Sequence, residues 1–493
     1  MNRIILAFAL FIFMSFQAVA VDSTPAEEAL NRGVEAFNKK DYDDAIKDFT
    51  EAIRLDPNSK YAEAYYRRGS SYFEKKDYDA AIKDYTEVIR LNPKNAMAVA
   101  YNSRGLAHCN KGDLDKAISD HSEAIRLDPK YAAAFYGRGE AYWEKTEYDK
   151  AINDYTSAIQ LLPNDADNFI SRGIAYCNKQ DYDKAIDDFT DAIRLDPKNA
   201  KAILGRGSAY VGKQQYDKAI DDCTVAIRLD PKNANAIQQR GITFSEEKKY
   251  DNAIHDLTEA ILLDPKCAAA FSFRGRAYNG NKDYDKADKD FNEAIQLDPK
   301  YALAYAFRGE SRSDRKDYDS AFKDFSEAIR LDPKCALAYA FRGQLYSKLK
   351  GFDFAIKDYT ESIRLDPKKA DIYFARGLSH LEKCDFDKAL CDCTEAIRLD
   401  PKCADAHTTR GLAYCSNKNF DMAVKDLTEA IRLDPKTANL HNLAIIYAES
   451  GDFKEAMKWQ KKAIELGYED KAELEKAQKR LKLYQEGKPY REE

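Results

Sequence analysis

Residues 135–163 read FYGRGEAYWEKTEYDKAINDYTSAIQLLP. Phe135, Gly139 and Tyr142 fall at i, i+4 and i+7, one stripe of a 3.6-residue helix. Ala151, Ile152, Tyr155, Ala158 and Ile159 form a second, wider stripe. The stretch therefore predicts two amphipathic helices, with Gly and Ala placed where the backbones must approach. The chain Leu162-Pro163 stops the second helix, because a residue before proline disfavours helical torsions.

The same pattern recurs along the chain. Prolines from Pro57 to Pro435 close twelve copies, spaced by 36 residues twice and by 34 thereafter. Glycines from Gly33 to Gly411 keep step with them. A fixed period of this size marks a solenoid of stacked two-helix units. In half of the units the inner turn reads like Asp181-Tyr182-Asp183, whose Asp residues are expected to cap the second helix.

An aromatic, Gly four on, Tyr three further, then Ala, an aromatic, Ala and Pro within 34 residues resembles the tetratricopeptide repeat. The resemblance covers about residues 25–467. It implies an all-α, right-handed superhelical solenoid whose first helices line a concave groove that holds partner proteins or extended peptides.

The chain has 493 residues, 33% of them charged, and a formal net charge of -6. A unit this short cannot bury a sufficient core alone, so each must lend its face to the next. Acidic and basic residues alternate along the helices, and no basic block of the kind nucleic acid requires is present.

Residues 1–20 read as an export signal: Arg3, an apolar run from Ile4 to Phe16, then Ala18-Val19-Ala20 as the cleavage site. The mature protein is expected to be periplasmic or extracellular; an uncleaved membrane anchor is the alternative. Residues 21–28 form a polar leader. Residues 29–467 hold thirteen repeats, the last degenerate. Residues 468–486 read as a capping helix with Leu474, Ala477, Leu481 and Tyr484 on one face, and 487–493 as a tail.

Two further rules emerge from comparing the units. The residue before each Gly is Arg, and three residues after each second-helix Ala comes Asp. Repeat 13 loses both, to Leu443 and Trp459. The joint loss predicts a partly buried ion pair inside each unit, as Arg138 with Asp154 and Arg172 with Asp188. In repeat 9, Arg312 takes the place of the core Tyr and is expected to snorkel to water.

The second rule concerns variation. One step round the first helix from the core stripe, residues differ from unit to unit. Tyr66, Phe73, Tyr136 and Trp143 make the N-terminal part of this face aromatic; Arg276, Asn279, Glu310 and Gln344 make the C-terminal part polar. These are the candidate partner-binding residues, with packing on neighbouring helices and plain solvation as the alternatives. Some members of the family clamp a carboxylate with Lys and Asn one turn apart; here those places hold Leu30 and Val34, Tyr66 and Ser70, and so on, so that clamp is not expected.

No catalytic residues are expected. The six His fit no metal or nucleophile spacing, and no phosphate loop or G-x-S-x-G is present. The ten Cys read mainly as structural thiols, Cys223 and Cys393 standing in for the second-helix aromatic; a disulfide within Cys384–Cys415 stays open. No cofactor or metal is expected. Three readings of function remain: a protein-binding scaffold, a polysaccharide-handling or envelope-assembly factor whose aromatics stack on sugars, and a structural spacer.

Overall fold

The computed structural model describes residues 24–55, 62–91, 97–468 and 470–489. The segment expected to direct export, the prolines Pro57 and Pro93, and residues 490–493 lie outside them. The described residues form 27 α-helices and no strand. They fall into two compact units, Met1–Glu247 and Lys248–Glu493, which part between the two helices of repeat 7.

Within each unit the helices come in pairs. Repeat 4 is Ala132–Glu144 followed by Tyr148–Leu161, and repeat 9 is Ala302–Asp314 followed by Tyr318–Leu331. A second helix packs on its own first helix and on the first helix of the next repeat. First helices of consecutive repeats also touch each other. The result in each unit is an all-α solenoid of two layers, first helices on one side and second helices on the other.

The Gly position is a steric requirement. A Cβ on Gly139 would sit 2.7 Å from the Tyr155 ring, and one on Gly309 would sit 2.6 Å from Phe325. Each second-helix ring thus lies flat on the backbone of its own first helix. Its other side meets the next repeat. There the repeats differ. In repeats 2 and 4 a Tyr three before the Gly supports the ring, with Tyr66 5.6 Å from Tyr85 and Tyr136 5.8 Å from Tyr155. In repeats 8 to 10 that place holds Ser272, Ala306 and Ala340, and the following residue is Phe273, Phe307 or Phe341. Those phenylalanines reach across the repeat boundary: Phe341 lies 6.3 Å from Phe325 of the preceding repeat, and Phe273 lies 5.5 Å from Phe307. Repeat 4, with Tyr136 then Gly137, and repeats 8 to 10 thus place a large and a small residue in opposite order.

Helix ends follow the turn chemistry only in part. Second helices stop at Leu before Asp-Pro, with Asp128 extended at φ -134° and its carboxylate accepting from the Lys130 amide at 2.9 Å. The expected Asp caps are mixed. Asp317 and Asp452 accept from the amides of Ser320 and Glu455, whereas Asp181, Asp283 and Asp385 make no such bond and pair with Lys184, Lys286 and Lys388. The ammonium three residues on competes for the carboxylate and wins.

First helices end in a left-handed residue that the sequence did not announce. Lys40, Lys76, Lys282 and Lys316 have φ of 63°, 64°, 62° and 65°. Repeats 3 and 13 put Gly112 and Gly451 in the same place. A Cβ in this region costs about 1–2 kcal/mol. Lys282→Gly is therefore expected to stabilise the protein by about 0.5–1 kcal/mol, after the entropy that Gly adds to the unfolded chain. A denaturation midpoint that stays put or falls would contradict this.

Candidate functional site

In eleven repeats the Arg and Asp meet inside the repeat. Arg138 donates to Asp154 through Nε and Nη2, both at 2.8 Å; Arg172 donates to Asp188 at 2.9 and 2.6 Å. The carboxylates are buried and the guanidinium groups are about four-fifths covered. Where a Tyr or Phe stands three residues before it, the Arg also lies over that ring, Arg138 at 5.8 Å from Phe135 and Arg172 at 5.9 Å from Phe169.

A third contact joins neighbouring repeats. Arg172 Nη1 donates to the Thr156 hydroxyl of the preceding repeat at 3.0 Å, and Thr156 in turn donates to the Ile152 carbonyl at 2.7 Å. Arg68, Arg104, Arg138 and Arg376 make the same bond to Thr50, Thr86, Ser122 and Thr360. The guanidinium fork is thus filled, and the pair works as a strap between repeats. In repeat 13, Leu443 and Trp459 replace the pair with apolar contacts around Leu427.

Arg312 does not snorkel. Its Nη1 donates to Asp324 Oδ2 at 2.7 Å, beside Arg308 on the same carboxylate. The reason is proximity: the core Tyr position faces the pair, so a cation placed there finds a buried anion before it finds water. His108 and His380, in the same place, likewise lie between Asp113 and Asp120 and between Asp385 and Asp392.

The candidate binding residues divide sharply by burial. Tyr66, Phe73 and Tyr136 are only 4%, 5% and 8% exposed, which departs from the open position that the helical wheel gave them. Neighbouring first helices stand close enough to seal that position. The Tyr66 and Tyr136 hydroxyls hydrogen-bond Ser103 and Ser171 of the next first helix at 3.2 and 3.1 Å, and Phe73 meets Tyr78 edge-on at 5.5 Å. These three side chains are core. Trp143 is half-buried, and its indole N–H meets no acceptor among the described residues.

The polar set of the C-terminal unit stays more open. Gln344 is exposed; Arg276, Asn279 and Glu310 are half-buried. Arg276 stacks 5.2 Å over Phe307, and Asn279 donates to Asp314 at 3.1 Å. The first-helix layer of this unit is thus polar with a phenylalanine floor.

In the N-terminal unit, repeat 4 sets two carboxylates on this layer. Glu140 accepts from the Tyr155 hydroxyl at 2.6 Å, and Glu144 follows one turn later. Glu144 is held above the usual carboxylate range by burial and by Glu140. Burial, then Glu144 and Glu140, push the Cys109 thiol of the neighbouring repeat up to about 12. Glu140 and Glu144 stand four residues apart on one helix, a spacing legible in the sequence.

The ten Cys are unpaired thiols, with Cys223 and Cys393 fully buried in the aromatic slot. Burial raises Cys393 to about 12, so it is not a nucleophile. His255, Asp256 and Glu259 bring potential ligand atoms within 4.8 Å of one another, a grouping that histidine spacing had not suggested. Two of the three are exposed, and Asp256 occupies the ion-pair position of its repeat, so the group is explained without a metal.

Comparison with known proteins agrees with this geometry. Tetratricopeptide repeat models match residues 26–59, 62–95, 132–165, 170–234, 239–302, 302–335, 342–402, 404–437 and 440–469, and a TPR repeat model matches 105–146. No curated protein sequence matches. Among solved structures, the APC/C hetero-tetramer Cut9-Hcn1 aligns over 96% of this chain and 98% of its own, with 16% identity and a TM-score of 0.52. Yeast Tom70 aligns over 86% and 96%, with 21% identity and a TM-score of 0.40. A tetratricopeptide repeat protein from Parabacteroides merdae aligns over 50% and 97%, with 20% identity and a TM-score of 0.44. The first of these shares the fold, and the matched models run through nearly every described repeat: the chain belongs to the tetratricopeptide repeat family.

Proposed function

We propose that the protein is a non-catalytic scaffold that holds partner proteins or extended peptides on its layer of first helices. One observation carries this reading. The buried stripe and the Arg–Asp strap barely change from repeat to repeat, while the outward positions of the first helices run from Glu144 through Trp143 to Arg276 and Gln344. A spacer would have no cause to vary one face. The polysaccharide reading needs exposed flat rings; the burial of Tyr66, Phe73 and Tyr136 leaves Trp143 alone of that set partly open, which favours the scaffold.

We propose export on the strength of residues 1–20. No helix of the described residues is long and apolar enough to cross a membrane. Crosslinking pull-down from fractionated cells tests both points. Wild type is compared with a Trp143→Ala, Arg276→Ala, Gln344→Ala variant of unchanged helicity. A partner recovered from the exported fraction and lost by the variant is the expected result. Equal recovery moves binding off this face, no partner favours the spacer, and a chain confined to the cytosol overturns export.

A further inference from the structure

The edge where first helices turn into second helices is charged along most of the chain, and repeat 10 departs from it at three places. At six junctions a Lys at the end of a first helix holds the Asp at the start of the preceding repeat's second helix, as Lys179 holds Asp149 and Lys383 holds Asp353. Asn281 and Asn417 bond Asp251 and Asp387 in the same way, at 2.8 and 3.2 Å. In the turn itself an acidic residue pairs with the Lys three residues on, as Asp181 with Lys184 and Asp283 with Lys286. Those two ammonium groups also lie over the first-helix Tyr of their own repeat, 5.4 Å from the Tyr176 ring and 5.3 Å from Tyr278.

In repeat 10 the three places hold Leu349, Gly351 and Phe354. Tyr346 now stacks on the Phe354 ring at 5.2 Å, and it meets Phe322 of repeat 9 at 4.8 Å. Gly351 lies against both partners of the stack: a Cβ there would be 3.6 Å from the Tyr346 ring and 3.8 Å from Phe354. Phe354 is 61% exposed and Leu349 46%. A single open apolar residue is ordinary, but here three polar places are lost together and leave one apolar island in a charged edge. Asp319 is exposed and has no ion pair among the described residues, because Leu349 stands where its Lys would. Lys350, in the turn between Leu349 and Gly351, is likewise exposed and unpaired. An anion and a cation beside one apolar centre are self-complementary: a two-fold axis through the centre brings each sign of one copy to the opposite sign of the other.

We propose that this island is the centre of a two-fold contact between two copies of the chain. Phe354 and Leu349 of each copy pack on those of the other, and Asp319 of each takes Lys350 of the other in place of the Lys that its own junction lacks. Two open apolar side chains per copy make a small centre, so the contact is reversible. It lies on the turn edge and does not depend on the scaffold reading.

The test is sedimentation velocity of the full chain from about 1 to about 100 μM. Wild type is expected to pass reversibly from monomer to dimer and no further. The double variant Leu349→Lys, Phe354→Lys restores the residue type that repeat 11 keeps at Lys383 and Lys388, so its melting midpoint should hold while association weakens about tenfold or more. Asp319→Lys and Lys350→Asp should each weaken self-association, and mixing the two single variants should recover the dimer, since each contact then joins a cation to an anion. A wild type that stays monomeric, a dimer that the double variant leaves intact, growth into larger species, or no recovery on mixing would each overturn the proposal. A monomeric wild type whose pulled-down partner is lost by the double variant would assign the island to a foreign protein, and self-pairing would fall.

Discussion

Arg172→Ala is expected to destabilise the protein by about 3–5 kcal/mol at neutral pH. The substitution leaves Asp188, which is 4% exposed, without its bidentate partner and leaves the Thr156 hydroxyl without its donor. Burial already pushes the Asp188 carboxyl above its ordinary range, and Arg172 pulls it back only in part. The pair therefore adds little in net terms while either half alone is costly. The sign of the pH dependence follows. A carboxyl whose folded pKa lies above its unfolded one binds protons preferentially when folded, so the deficit of the variant is full above that folded pKa and shrinks as pH falls through it. Adding Asp188→Ala should restore part of the loss. Urea titrations that show a cost under about 1 kcal/mol, or no recovery in the double variant, would mean that the pair behaves as an exposed one. Arg32, which is more than half exposed and makes a single 3.3 Å contact with Asp48, supplies that comparison inside the same chain.

The second large effect is acid sensitivity at His121. The ring fills the second-helix aromatic slot with no exposed surface, between Gly105 and Gly137. Its Nδ1 bonds Asn102 Oδ1 at 3.0 Å and its Nε2 has no partner among the described residues. Burial, helped by the facing Arg138 and His108, lowers its pKa from 6.5 to about 3. A histidine held neutral when folded contributes stability in full above pH 6.5, and that contribution is lost as pH falls toward 3. Between pH 7 and pH 4 the loss amounts to roughly 3 kcal/mol. His121→Phe is expected to remove it, because Phe189 sits in the equivalent slot between Gly173 and Gly205. If the stability of the two proteins fell in parallel from pH 7 to pH 4, His121 would not be the sensor.

The fold was legible in residues 135–163 because a repeat imposes the same constraints many times. The Gly139 and Tyr155 positions recur since no other pairing fits a ring on a bare backbone. The Arg–Asp strap was legible through its joint loss in repeat 13. Its third member was in plain view, for Thr, Ser or Asn stands two residues after each of the twelve Asp. Nothing in the spacing of one repeat, however, says that Thr156 serves the Arg of the next. The binding face was read less well. A helical wheel gives direction but not the distance to the next helix, and that distance decides whether Tyr66 and Tyr136 are open or sealed. Large side chains on a crowded layer close over it, whereas Glu144 and Gln344 keep their heads in water. Polar and charged residues were therefore the better guides to the open surface, and the aromatics the worse.

The order of large and small residues beside the second-helix ring has a consequence for how the repeats come apart. The stability of a solenoid divides into a part internal to each repeat and a part belonging to each junction. Where Tyr66 or Tyr136 supports the ring of its own repeat, the contact survives when the neighbour frays. Where Phe341 supports Phe325, the contact exists only while both repeats are folded. The run of Phe273, Phe307 and Phe341 thus shifts stability from the repeats to their junctions. Repeats 8 to 10 should open and close together as one cooperative block, while repeats 2 and 4 retain more independence, although the same twelve-fold pattern built both.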